Sequence, residues 1–147
     1  MRRFCIGLIG LLACGDDDGT GPGLTDITGT WSATLSNLNG DGVSCSSTDP
    51  TQITFNQTGA TFSGSFSGGE LFCTAPGSTG AVPIGTGSVI NGTVSGTNLS
   101  FDLDTPEFHH EGSVSGSSMS GTAEWIIDFG LPAGEVTLNG TWEAEKQ

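Results

Sequence analysis

A five-residue pattern, apolar, polar, Gly, Ser or Thr, apolar, recurs along this chain and limits its fold more than any other feature. It stands at Ile27–Trp31, Phe62–Phe66, Ile90–Val94, His110–Val114, Met119–Ala123 and Leu138–Trp142. In a strand, alternation by two puts the glycine on the same face as both apolar residues and the Ser, Thr or Asn on the other. Such a glycine marks a bend or leaves room for a large neighbour across the sheet. The copies share no fixed period, so each is one piece of one strand and not the unit of a solenoid or propeller.

Alternation read outward from these pieces predicts eight strands, near 27–36, 51–57, 60–67, 87–95, 98–104, 107–115, 118–128 and 135–145. Tight connections fall at Thr58-Gly59, Gly96-Thr97 and Gly116-Ser117, the last two with Gly first, as a type II′ hairpin turn requires. These turns set Phe55 against Phe62, Gly92 against Phe101, Gly112 against Gly121 and Phe108 against Trp125. The fold expected is all-β: an eight-stranded antiparallel up-and-down barrel over 27–147, whose closure removes exposed sheet edges. A two-sheet sandwich is the competing architecture. Parity then gathers the tight turns, the chain's entry and Lys146 at one pole. Loops near 37–50, 68–86, 104–107 and 128–134 gather at the other.

The start of the chain reads as an address. Arg2 and Arg3 precede an apolar run, Phe4–Ala13, too short to span a bilayer. The run ends Leu11-Leu12-Ala13-Cys14, followed by Gly15 and the acids Asp16, Asp17 and Asp18. This resembles the lipobox of bacterial lipoproteins, which implies a signal peptide over 1–13, lipidation of Cys14 and a place in the cell envelope facing periplasm or exterior. The alternative is an ordinary secretory signal cut nearby, with Cys14 incidental. Residues 14–26, rich in Gly and Asp, form a tether. With Cys5 in the discarded segment and Cys14 lipidated, Cys45 and Cys73 remain as one pair in an oxidising compartment, and a disulfide is expected between them. It would tie the two longest mouth loops together.

On the first strand, Gly29-Thr30-Trp31 resembles the Gly-x-Trp signature that opens lipocalins and avidins. Those families are eight-stranded barrels that usually hold a small molecule in the mouth. Lipocalins place an arginine late in the chain over that tryptophan, where only Lys146 is available here. Avidins use tyrosine in their biotin contacts, and this chain has none. The resemblance therefore implies a barrel and general ligand binding, not biotin.

Chemistry-bearing motifs are sparse. The chain contains no G-x-S-x-G elbow, H-E-x-x-H, P-loop or dinucleotide fingerprint, so neither catalysis nor a cofactor is expected. Its only histidines, His109 and His110, alternate to opposite faces. His110 fills an apolar position of the repeat and is expected inside, beside Phe101 and Ala123. His109 points outward with Glu107 and Glu111, and Asp102 lies opposite. Those four are a conceivable zinc set, but three acids and a histidine on a solvated strand are ordinarily a soluble face, and no metal is expected.

Sixteen acids against three bases, a net charge of −13, exclude a nucleic-acid surface, because nothing would neutralise phosphates. Two functions remain. In the first, inward Trp31, Phe62, Phe66, Phe101, Phe108, His110, Trp125 and Trp142 line a pocket for one small apolar molecule. In the alternative the interior is solid, and the acidic loops or outer wall bind a basic protein; resemblance to small barrel lipoproteins that inhibit lysozymes or secreted proteases implies such an enzyme as the partner. The membrane is reached through the lipid alone.

Overall fold

Nine strands, all paired antiparallel, make up nearly all of residues 23–128 and 134–147, which the computed structural model describes. They are β1 (Gly29–Gly40), β2 (Val43–Thr58), β3 (Thr61–Ala75), β4 (Ser78–Pro83), β5 (Thr86–Ser95), β6 (Asn98–Asp104), β7 (Glu107–Ser115), β8 (Ser118–Asp128) and β9 (Glu135–Lys146). The sheet runs β2-β1-β9-β8-β7-β6-β5-β3-β4, and β2 also pairs with β3. Eight strands thus close on themselves as the expected barrel, and β4 stands outside the ring. The signal-peptide segment, Cys14 and the tether up to residue 22 lie outside the described residues, as does most of the loop near 128–134.

The poles follow parity. Thr25 N donates to the Gly96 carbonyl at 3.2 Å, Val94 N to that of Ala60 at 2.9 Å, and Lys146 N to that of Ser117 at 2.8 Å. Ile27 N also reaches the side-chain oxygen of Gln57 at 2.8 Å. Chain entry, chain end and the three tight turns therefore share one pole. The leading glycine of each of those turns, Gly59, Gly96 and Gly116, has φ near +60° (61°, 61° and 63°), the type II′ geometry.

The opposite pole differs from expectation, because the segments 37–50 and 68–86 are mostly strand. β1 and β2 meet at Asp41-Gly42, with φ of 47° and 80°, a type I′ turn. β3 turns back at Pro76-Gly77, Gly77 taking φ 80°, and β4 then runs in line with β5 after a break at Ile84-Gly85. The Ser, Thr and Gly that fill these segments blur the alternation, yet Val43 and Cys45 on β2 and Leu71, Cys73 and Ala75 on β3 still keep it. A ribbon of β2, β3 and β4 consequently rises above the barrel wall. Cys45 and Cys73 are opposed residues of the β2–β3 ladder, with Cα atoms 4.1 Å apart, and they form the disulfide. The bond therefore staples two neighbouring strands and does not join separate loops. Closing a 28-residue separation is worth roughly 3–4 kcal/mol by chain entropy.

Two register expectations need correction. The first turn is Gly59-Ala60, so Phe55 opposes Gly64 and Phe62 opposes Gln57, although the Phe55 and Phe62 rings still meet diagonally at 5.1 Å. On β5 a bulge sets Asn91 (φ 55°) and Gly92 together against Phe101. That extra residue turns Ile90 outward, 41% exposed, and Val89 inward. The pairings Gly112 with Gly121 and Phe108 with Trp125 stand as expected.

The Gly112–Gly121 pair has a packing reason. Trp142 lies opposite Gly121 on β9, and its indole Nε1 donates to the Glu111 carbonyl at 3.0 Å. A Cβ on Gly112 would come within 3.0 Å of the Trp142 ring, and one on Gly121 would run into the Glu111 carbonyl and the Gly112 backbone. The two glycines let β7 and β8 approach beneath the indole. Gly121→Ala should therefore lower unfolding stability by about 2–3 kcal/mol, read as a lower urea midpoint with unchanged slope.

Candidate functional site

The alternation that builds the strands sends one face of each inward, and the interior collects rings. Phe62, Phe101, Phe108, His110, Trp125 and Trp142, all expected there, are buried and linked by ring contacts. Phe101 stacks on His110 at 4.6 Å and 5°, and Phe108 on Trp125 at 4.7 Å. Trp142 meets Phe101 and His110 edge-on at 5.6 and 5.5 Å. Centroids this close leave ring against ring rather than a lumen between them. Phe55 belongs to the same cluster, 5.3 Å from Phe101. The lining set expected from the sequence lacks Phe55, although its place two residues from Ile53 in an alternating run carries the signal.

Trp31 and Phe66 serve other positions. The Phe66 ring covers Gly87, where a Cβ would collide with it. Trp31 plugs the turn pole, its Nε1 donating to the Ile27 carbonyl at 2.9 Å. The Lys146 ammonium lies 5.6 Å above the Trp31 ring. Lys146 thus occupies the place for which the Gly-x-Trp resemblance implies an arginine.

His110 is inside, paired with Phe101 and Ala123 as its repeat position implies. It is 2% exposed, and its Nδ1 is buried without a hydrogen-bond partner among the described residues. Burial drives its pKa down to about 3, against the opposing pull of the Phe108 backbone and the Asp102 charge. The imidazole is held neutral.

His109 faces out. Its Nδ1 meets Asp102 Oδ1 at 2.6 Å, its Nε2 meets Glu111 Oε1 at 3.4 Å, and Asn91 Nδ2 donates to Asp102 Oδ2 at 2.8 Å. The hydrogen bond to Asp102 is the main cause that raises the His109 pKa. On Asp102 partial burial acts upward, but the bonds from Asn91 and His109 outweigh it and lower the pKa. Among the described residues no three His, Cys, Asp or Glu side chains are grouped to hold a metal ion. The same wall carries a cleft of about 370 Å³ lined by His109, Glu111, Thr122, Ala123, Glu124, Asn139 and Gly140.

No family model matches the chain, and neither a curated protein nor a solved structure matches it.

The two histidines give opposite pH dependences. For His110 the folded pKa lies below the unfolded value of about 6.5, so between the two the unfolded chain alone takes the proton. Its contribution is complete above about pH 6.5 and falls as pH drops, by about 1.4 kcal/mol per unit. The raised pKa of His109 gives a contribution complete below the unfolded value and lost as pH rises through the folded one. His110→Leu should keep the fold and remove the first effect. Urea titrations of both proteins should show the wild type losing about 2 kcal/mol more than the variant between about pH 7.5 and about pH 5.

Proposed function

We propose that this chain is a non-enzymatic binding module: an acidic barrel with a filled interior, held at the bacterial envelope by lipid on Cys14, that binds a basic protein such as a lysozyme or secreted protease. The observation that carries this is the ring cluster. Phe55, Phe62, Phe101, Phe108, His110, Trp125 and Trp142 occupy the space that a guest would need. What remains for recognition is the outside. There Asp104, Glu107, Glu111, Glu135, Glu143 and Glu145 are exposed, and among the described residues Lys146 is the single lysine or arginine. A field of one sign steers a partner of the other. Closure into eight strands and the Lys146–Trp31 contact support a calycin-like relationship.

A second function, one small apolar molecule in the lumen, is favoured by one observation, the unpartnered Nδ1 of His110. A buried imidazole nitrogen without a partner is costly, and a donor on a guest would satisfy it.

Native mass spectrometry of the protein purified from its own membrane separates the two. The expected spectrum contains the chain and its lipid alone. A small molecule retained in equal amount, and lost in His110→Leu, would replace the first function by the second. The anchor has its own check. Cys14→Ser should move the protein from the membrane to the soluble fraction, since stable anchoring takes two acyl chains. A serine variant that stays in the membrane, beside a wild type without added lipid mass, would remove the anchor.

A further inference from the structure

The wall of the barrel has unequal height. Every strand of the ring has a neighbour on each side, but β4 pairs only with β3. β4 continues the line of β5, and the strand beside β5 is β6, which stops at Asp104 and turns into β7 through Thr105-Pro106. Above that turn, the place next to β4 is empty of described strand.

The register says which groups face that place. Ala75 and Ser78 flank the two-residue turn and form its hydrogen-bonded closing pair, so Cys73–Gly80 and Leu71–Val82 also bond inward. Thr79 and Ala81, the intervening residues, turn their N–H and C=O groups outward, while Pro83 has no N–H to give. Natural edges are usually blunted by charge, a bulge or proline. β4 carries one of these, Pro83 at its end, and Ser78–Val82 before it carries none.

Side chains flank this edge on both faces. Toward the mouth, Val43, Cys73, Ala75, Gly80 and Val82 line an apolar cleft of about 250 Å³. On the outer face, Phe72 sits opposite Ala81 and is 47% exposed, one of the few large apolar side chains that the fold leaves open. Two residues before it on the same face is Glu70, held by Thr48 Oγ1 at 2.9 Å.

We propose that β4 takes up an extended segment of the basic partner as an added strand over the β6–β7 turn, with apolar side chains toward the mouth cleft and basic ones on the outer face. Backbone bonds to Thr79 and Ala81 supply affinity, and alternate side chains supply selectivity. The choice of a basic partner over a second copy follows from charge: a net −13 on each chain opposes self-pairing. The inference rests on the proposed binding of a basic protein and states where that protein docks.

The test uses the disulfide-bonded protein and a short peptide alternating Val and Lys. Its controls are the same peptide with Glu for Lys, and the Lys peptide N-methylated at alternate residues. Amide NMR should show shifts and slowed exchange at Thr79 and Ala81 with the Lys peptide alone. Ala81→Pro removes an outward N–H without touching the ladder to β3, and should weaken binding at least about tenfold, with the barrel spectrum unchanged. Equal binding by Ala81→Pro and by the methylated peptide, with shifts on the wall around Asp102 and Glu111, overturns strand addition but leaves an acidic surface for a basic partner. Absence of binding by any Lys peptide overturns both. Shifts at Thr79 and Ala81 that appear on concentrating the protein alone, with a dimer in sedimentation, assign the edge to a second copy and overturn the inference.

Discussion

The ladder between β1 and β9 is the interaction on which the rest depends. It joins the first strand to the last, from Trp31 opposite Lys146 to Asn39 opposite Asn139, and so turns a row of hairpins into a closed wall. Each hairpin by itself would expose one apolar face and two bare edges. Closure hides both at once. It also fixes the interior volume, because eight strands enclose little more than their own inward side chains. Glycine at the repeat position and rings elsewhere are complementary answers to that limit: Gly112 and Gly121 give up the space that Trp142 takes.

Two histidines adjacent in sequence have opposite roles, and alternation alone separates them. His110 is stacked on Phe101 and kept neutral, while His109 is bonded to carboxylates that favour its proton. One residue of slip in β7 would exchange them. The inward pairing of Phe108 with Trp125 and the Gly112–Gly121 contact hold the strand in register.

Much of the ring was legible from residues, since the repeat copies fall on β1, β3, β5, β7, β8 and β9 and six of the eight expected inward side chains meet in one cluster. The ribbon was not. Ser44 to Thr51 and Ser67 to Gly80 contain few apolar residues to show a period. Asp41-Gly42, a strong hairpin signal placed between Val43 and Leu38, was nevertheless available. The bulge at Asn91 had no such signal, because a sequence of good alternation conceals one inserted residue until both neighbours are in place. The strand edge on β4 is hidden in the sequence for the same reason as the ribbon: where no period is legible, no strand and so no edge is expected.

The poles also decide how the molecule carries load. The chain enters at Thr25 beside the Gly96 turn, whereas β4 and the disulfide stand at the far end. A pull between the entering chain and something held on β4 runs along the strands, across the β1–β2 and β2–β3 ladders. Their hydrogen bonds lie perpendicular to the strands, so they are strained together in shear and do not open one by one. The Cys45–Cys73 bond crosses the second ladder close to the upper point of attachment, where a peeling force would first concentrate. A barrel built this way resists traction along its axis better than traction across it.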